Sequence, residues 1–302
     1  MSAIGTGNTP KLLWPGINAV WGSNYTDYDK EYPDLFEVQS SDMNYEEDVE
    51  EPGFGMVPQK PQGSAITYQS TAQGTVTRYT HVAYGSGFIV TREEADDNLY
   101  EKRAISRARR LARSFRLTKE TVLANIYNRG QTSGYTGGDG VVLSSTAHPS
   151  NAGNQSNRLT TAADFSEASL EDLCIQIMGA TDTNGLIIKL QPKVLLIPKE
   201  LVFEAERVLK SVLQNDSANN ATNALRSTGM IPSVKVNHFF TDTDAFFIRT
   251  DAPDGMKMFQ RTNPEFAQDG EFDTSNIKYK GYERYSGGWS DWRGLFTNGY
   301  GA

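Results

Sequence analysis

Residues 36–90 most limit what this chain can fold into. An acidic run, Glu46, Glu47, Asp48, Glu50 and Glu51, leads into Pro52-Gly53-Phe54-Gly55, then Pro58, Pro61 and Gly63. The return over 66–90 is rich in Thr, Tyr and Val, which is strand composition. The segment predicts a long two-armed hairpin with a wide tip. Its aliphatic content is thin, and neither face of residues 75–82 is cleanly apolar. A lone hairpin is marginal in water. A long, weakly apolar excursion from a compact domain is therefore a mark of function. The expectation is that this hairpin rests on another copy of the chain.

A helix is predicted next, over 91–129. Thr91 followed by Glu94 reads as a capping box. Glu93, Glu94, Asp96 and Asp97 sit where the positive end of the helix dipole favours anions. Apolar residues recur every three or four positions at Ile105, Ala108, Leu111, Ala112, Phe115, Val122 and Ile126, and Gly130 is the stop. One continuous helix would run about 57 Å, a strut between distant parts of the fold.

The strut carries Arg103, Arg107, Arg109, Arg110, Arg113, Arg116 and Lys119. Arg103, Arg107 and Arg110 share one face; Arg109, Arg113 and Arg116 share another. Three readings stay open. The stripe could meet nucleic acid, or be a solvated face with pairs inside the chain, Glu101 among them. It could also meet the acidic hairpin of a second copy, where pairing sets register more than affinity. The third reading makes Glu46, Glu47, Asp48, Glu50 and Glu51, with Arg107, Arg110 and Arg113, the candidate contacts between subunits.

Residues 1–35 show no lasting period, yet hold Trp14, Trp21, Tyr25, Tyr28 and Tyr32. Disordered tails are poor in aromatics. The expectation is an arm that docks on another surface through Trp14 and Trp21.

Beyond the strut, 131–159 is turn-rich. A helix is expected from Ser169, with Leu170, Leu173, Cys174 and Ile177 inward and Asn184-Gly185 as its stop. A buried-type strand follows at 193–197. Pro198 then opens a helix with Leu201, Ala205, Val208, Leu209 and Val212 inward. An Asn-rich polar loop, expected to be mobile, is predicted over 214–229. Short strands are predicted at 234–240, 245–249, 256–260 and 277–285, with turns between them.

Chemistry is sparse. His81, His148 and His238 lie far apart, with no metal-ligand spacing around them. Ser144, Ser145 and His148 lie close to Asp139 in sequence, so a hydrolase is conceivable. Triads draw on distant segments, however, and no Gly-x-Ser-x-Gly elbow occurs, so the stretch reads as a polar loop. Gly137-Gly138-Asp139-Gly140 reads as a turn, and no phosphate-binding Gly-x-x-x-x-Gly-Lys motif occurs. No catalytic residue, cofactor or metal is expected.

The net charge of -8 argues against nucleic-acid affinity over the whole surface, but not against a local basic stripe. A single cysteine, Cys174, permits no intrachain disulfide and fits a reducing cytoplasm. No signal peptide is expected. The most apolar stretch, 186–198, is interrupted by Lys189, Gln191, Pro192 and Lys193 and falls short of a membrane span.

The order of elements, with a set of local patterns, resembles the Hong Kong 97-type fold of tailed-phage major capsid proteins. The patterns are Gly87-Phe88-Ile89-Val90-Thr91 before the strut and Pro198-Lys199-Glu200-Leu201 at the later helix. Next come Phe239-Phe240-Thr241-Asp242-Thr243-Asp244-Ala245-Phe246-Phe247 and Arg261-Thr262-Asn263-Pro264-Glu265-Phe266. Gly288-Trp289-Ser290-Asp291-Trp292-Arg293-Gly294 completes the set.

The resemblance implies an α+β capsid fold. Residues 1–35 would be an N-terminal arm, and 36–90 the extended E-loop hairpin with flanking strands, lying over a neighbour. Residues 91–190 would be the spine helix and peripheral domain, 191–275 the axial domain, and 276–302 a return to the peripheral domain. The Asn-rich loop would sit near a five-fold or six-fold axis. Some relatives crosslink an E-loop lysine to an asparagine of another subunit. Lys60 lies near the tip, but no matching asparagine is identified and that chemistry is not carried over.

Pentamers and hexamers would then tile an icosahedral shell around phage dsDNA, assembled in the host bacterial cytoplasm and kept in the virion. The implied partners are the chain itself, a separate scaffolding protein, a portal, a decoration protein and DNA held non-specifically, with no membrane. The scaffolding protein is expected to be separate because no long helical preface precedes the arm. The alternatives are an encapsulin-like compartment, a cytoplasmic hydrolase and a DNA-binding protein using the strut arginines.

Overall fold

The computed structural model describes residues 10–27, 29–71, 73–96, 100–214, 221–271 and 275–300. Tyr28, Asp97 and the core of the Asn-rich loop, 215–220, lie outside the described residues, as do the side chains of Trp14, Asp96 and Glu101.

The N-terminal arm contains a helix, α1 (Pro10–Thr26). Its period is carried by Ile17, Trp21 and Tyr25, four residues apart and all buried. Gly16, Asn18, Gly22 and Asn24 are weak helix formers and hid it. A single turn, α2 (Tyr32–Leu35), follows with Pro33 in its first positions, where a missing N–H costs nothing. The hairpin region holds β1 (Glu37–Ser40), β2 (Tyr45–Val49), β3 (Val76–Thr80) and β4 (Val82–Val90).

The expected strut is two helices, α3 (Arg92–Asp96) and α4 (Tyr100–Asn128). The Thr91 hydroxyl caps α3 by accepting from the Glu94 N–H at 3.3 Å. The Glu94 carboxylate takes the Arg107 guanidinium in a fork, at 2.9 and 3.1 Å. On one straight helix residues 94 and 107 would be about 20 Å apart along the axis. The helices α3 and α4 therefore do not share one straight axis, and the strut is shortened to 29 residues, about 43 Å.

Next come α5 (Glu167–Met178) and β5 (Pro192–Pro198). A Ser166–Ser169 capping box starts α5, and Gly179 ends it, five residues before the expected Asn184-Gly185 stop. After β5, a 3-10 turn at Lys199–Leu201 leads into α6 (Val202–Lys210). Val212 lies past its end and is 66 % exposed, not inward. The polar stretch after it holds a short helix, α7 (Ala224–Thr228), anchored by buried Leu225. Then come β6 (Val234–Asn237), β7 (Phe246–Thr250), β8 (Met256–Gly270), β9 (Ile277–Trp289) and β10 (Leu295–Asn298). The strand β8 runs ten residues beyond its expected end because Pro264 sits where the β8–β9 register shifts, a place that tolerates a missing N–H.

Two four-stranded sheets organise the chain, in the orders β1-β8-β9-β4 and β10-β7-β5-β6. In the first, β1 runs parallel to β8 while β8, β9 and β4 are antiparallel. In the second, β5 is parallel to β6 and antiparallel to β7. The helices α5 and α6 cover the second sheet, with Leu170, Leu173, Cys174 and Ile177 packed on Leu195, Ile197 and Phe246.

The helices α1 and α4 cover the first sheet. Trp21 stacks on Phe266 at 4.8 Å and meets Phe115 edge-on at 5.4 Å. Gly281 lies beneath these rings: a Cβ there would stand 2.8 Å from Phe115 and 2.9 Å from Trp21.

Side chains of β9 alternate between the two faces of the first sheet. Gly281, Glu283, Tyr285 and Gly287 face α4: Phe115, Lys119 and Leu123 stand over them. Arg284, Ser286 and Gly288 face the hairpin, toward Asn44, His81 and Tyr79.

Candidate functional site

The strands β2 and β3 pair antiparallel, from Tyr45 opposite Thr80 to Val49 opposite Val76. The hairpin expected from the sequence is present, but its base rests on its own chain. Asp48 accepts from the Lys257 ammonium at 2.6 Å and from the Ser290 hydroxyl at 2.5 Å. Lys257 also holds Asp254 at 2.7 Å. Burial pulls the Lys257 pKa down, but the hydrogen bonds that its ammonium donates to Asp254 and Asp48 outweigh it, and the net shift is upward.

Glu50 accepts from Thr183 at 2.6 Å and Thr75 at 3.0 Å, and the Asn184 amide donates to the Gly53 carbonyl. Glu46 accepts from Ser41 at 2.5 Å, and the Ser41 hydroxyl lies 3.0 Å from the His81 ring. Burial holds the His81 imidazole below its ordinary pKa. Glu47 makes an exposed pair with Arg78 at 3.5 Å, and Glu51 is exposed. Glu46, Asp48 and Glu50, three of the five acids expected to meet a second copy, thus already have partners in their own chain. The local sequence could not reveal Lys257 or Thr183 as partners, because they lie far along the same chain.

The tip differs from the base. Among the described residues between β2 and β3 there is no helix or strand, and the large apolar side chains there face water. Met56 is 81 % exposed, Val57 88 % and Tyr68 91 %.

On α4 the basic residues divide. Arg107 belongs to Glu94 and to the Ile89 carbonyl, so it is committed within the chain. Arg109, Arg110 and Arg113 are exposed. Arg116 and Lys119 are buried, against the expectation of a basic surface stripe reaching that far.

The Arg116 guanidinium binds Glu120 at 2.7 Å, and Glu120 accepts the backbone N–H groups of Glu31 and Tyr32 at 3.2 and 2.9 Å. The rings of Tyr32 and Tyr25 lie 5.2 and 5.9 Å from that guanidinium, within reach of cation–π attraction. Lys119 donates to Gln260 at 2.5 Å and lies 3.5 Å from Glu283, which also accepts from the Tyr25 hydroxyl at 3.0 Å. Burial pushes the carboxyl pKa values of Glu120 and Glu283 up and that of the Lys119 ammonium down. This cluster ties α1, α2, α4 and β9 together. The spacing of Arg116, Lys119 and Glu120 on one helix face was a readable signal; Glu283 gave none.

Trp21 is 3 % exposed and packs within its own chain, so it has no face left for a second surface. The side chain of Trp14 lies outside the described set.

His148 is buried, stacked on Trp292 at 4.4 Å, with Asp139 2.6 Å from Nδ1. Its Nε2 faces the Asn157 carbonyl oxygen at 3.3 Å. Ser144 pairs with Thr297 at 2.5 Å, and the Ser145 hydroxyl accepts from the Ala147 N–H at 3.1 Å. Neither serine is placed on the imidazole, and the loop is a polar crosslink. Among the described residues, no three His, Cys, Asp or Glu converge to hold a metal. No described helix is long and apolar enough to cross a membrane.

A family described as phage capsid protein matches residues 74–298. A comparison with curated proteins gave no match. Among solved structures, the chain is similar to a virus-like particle from Pyrococcus furiosus, with TM-score 0.55 and 10 % identity, covering 94 % of this chain and 98 % of that one. It is similar to the capsid of an empty GTA particle, with TM-score 0.56, 11 % identity and 90 % of each chain covered. It is also similar to a structure from Mycobacterium phage Che8, with TM-score 0.50, 14 % identity and 92 % of each chain covered. At such identities the structures speak for the fold, and the family match speaks for the role. The chain belongs to the phage capsid protein family and is a structural major capsid protein with the Hong Kong 97-type fold.

Proposed function

We propose that pentamers and hexamers of this chain tile an icosahedral shell around phage dsDNA, and that the chain catalyses nothing. In this reading residues 1–35 are the arm and 36–90 the E-loop. The first sheet, with α1 and α4, is the peripheral part. The second sheet, with α5, α6 and α7, is the axial part. This partition departs from the sequence expectation by giving α1, β1, β4 and β8 to the peripheral part and α5 and β10 to the axial part, following their sheet partners and packing. A separate scaffolding protein, a portal and a decoration protein are the expected partners, and assembly takes place in the host cytoplasm. The hydrogen bonds of Ser144, Ser145 and His148 support the absence of hydrolase chemistry.

One observation carries the reading: the hairpin is latched at its base and uncovered at its apolar tip. A protein that projects Phe54, Met56, Val57, Ile66 and Tyr68 into water needs a surface to cover them. An identical neighbour supplies one in a closed ring.

The test is electron microscopy of the purified chain, alone and with its scaffolding protein, against a variant in which residues 54–70 are replaced by a short Gly-Ser turn. Closed shells, tubes or rings from the parent and dispersed, folded subunits from the variant are expected. A parent that stays monomeric under both conditions, or a variant that still closes shells, overturns the reading.

A further inference from the structure

We infer that His81 is a proton-operated clasp at the root of the hairpin, closed while its imidazole is neutral and loosened when it takes up one proton. The inference rests on the hairpin reading above and adds what controls its base. Both arms of the hairpin leave the first sheet at one place. The first arm departs after β1, where the Ser41 N–H still donates to the Gln260 carbonyl at 3.1 Å, and β2 begins at Tyr45. The second arm rejoins the sheet at His81, the single residue between β3, which ends at Thr80, and β4, which starts at Val82. The two corners are bonded to each other: the Ser41 hydroxyl lies 3.0 Å from His81 Nε2. On the other side of the ring, the Ser286 hydroxyl of β9 lies 2.9 Å from Nδ1. Ser41, His81 and Ser286 are all buried.

Counting hydrogens fixes the tautomer. The Ser41 hydroxyl has one hydrogen, and Glu46 accepts it at 2.5 Å. The same oxygen accepts the Met43 N–H at 3.2 Å, so toward the ring it can only accept, and Nε2 carries the ring hydrogen. Neutral imidazole then has a bare Nδ1, to which Ser286 donates. Both ring nitrogens and both hydroxyls are satisfied in this one arrangement. A proton arriving at Nδ1 turns that acceptor into a donor, and the Ser286 hydrogen loses its place. It also sets a positive charge in a buried corner. Glu46 is reached only through Ser41. Around the same corner, Arg284 donates to Asn44 at 2.8 Å and Arg261 approaches Asp42 at 3.7 Å. Burial, then Arg284, with Arg261 adding less, hold the imidazole below its ordinary pKa against the pull of Glu46. The other two histidines are built differently: His148 meets Asp139 directly at 2.6 Å and His238 meets Glu31 at 2.7 Å. A group that resists protonation when folded adds stability above its unfolded pKa, about 6.5 for imidazole, and loses it as pH falls below that point. The clasp is therefore closed at neutral pH and weakens in mild acid. With it goes one of the ties on the hairpin base, beside those of Asp48 and Glu50.

The test is limited proteolysis of the dispersed full-length chain from about pH 7.5 down to about pH 5.5, with a protease active over that range and calibrated on an unfolded substrate. Cleavage inside β2 or β3 requires the base to lift, so its rate follows the population of the lifted hairpin. The parent should be cut faster as pH falls below about 6.5, by up to about tenfold per pH unit, the slope of one proton. His81→Gln keeps a donor toward Ser41 and an acceptor toward Ser286 but has no titrating ring, so its cleavage rate should stay flat. A flat profile in the parent, or a H81Q variant that follows the parent's rise, overturns the inference. A second reading needs no variant. Ring-nitrogen NMR shifts of the parent at neutral pH should place the His81 hydrogen on Nε2, and the titration of that ring should coincide with the rise in cleavage. The opposite tautomer, or a ring that titrates with no change in cleavage, overturns the inference as well. None of these measurements needs a closed shell, so failure of the clasp is read apart from failure of the shell reading, which electron microscopy decides.

Discussion

The two faces of the first sheet carry the same kind of bond in different surroundings. On the α4 face, Arg116, Lys119, Glu120 and Glu283 are all buried and joined by Tyr25 and Tyr32. On the hairpin face, Lys257 joins Asp48 and Asp254, but both carboxylates reach water. A buried charge that loses its partner stays uncompensated, whereas an open pair can trade its partner for water. The first arrangement fixes how α1 and α2 sit on the sheet. The second holds the hairpin base down while leaving it free to lift.

Alkali is the broadest way to break this comparison. Burial raises the phenol pKa values of Tyr25, Tyr285 and Tyr127 on the α4 side and of Tyr79 under the hairpin. The unfolded chain therefore releases these protons first, near pH 10, and stability falls as pH rises past that point. Each phenol held protonated contributes a loss of about 1.4 kcal/mol per pH unit. Exposed phenols such as Tyr68 ionise in the folded chain. Unfolding followed by circular dichroism should therefore coincide with a second rise in tyrosinate absorbance at higher pH; complete tyrosinate formation in a still-folded chain would count against burial of this side.

Glu283→Ala leaves Lys119 and the Tyr25 hydroxyl without their shared acceptor, and should cost about 3–5 kcal/mol in urea unfolding of dispersed subunits. A loss under about 1 kcal/mol would mean water already reaches the cluster. Gly281→Ala pushes a methyl into Phe115 and Trp21 and should cost about 1–3 kcal/mol. An unchanged midpoint there would show that α1 is not seated on β9. Asp48→Asn, on the open side, should move the global midpoint by about 1 kcal/mol or less. Proteolytic cleavage within 50–75 should nevertheless quicken. Equal cleavage rates would remove the latch from the account.

What the sequence revealed follows the range of the forces involved. The α5 face at Leu170, Leu173, Cys174 and Ile177 and the strand around residues 193–197 came out as expected, because periodicity and β-branched runs are local signals. The hairpin's existence was local too, in its turn residues and Thr/Tyr/Val return. Its base contacts were not, since Lys257 and Thr183 lie more than a hundred residues away. The separate axes of α3 and α4 were invisible for a related reason: both halves are good helix, and the Glu94–Arg107 fork shows that they do not share an axis. The stop of α5 was misplaced because Gly179 and Asn184-Gly185 are both plausible ends, and packing chooses between them.

The uncovered tip has a consequence for how a shell could be put together. If a neighbour covers it, as proposed, the segment between β2 and β3, residues 50–75, must surrender chain entropy on docking, about 1–2 kcal/mol for each backbone position fixed. That cost offsets much of what burying Met56, Val57 and Tyr68 contributes, so a single docking event is short-lived. Subunits added in the wrong place leave before the next arrives, and only a ring in which every tip is seated persists. In that reading the hairpin would work as a proofreading step, discarding errors by being a poor binder on its own.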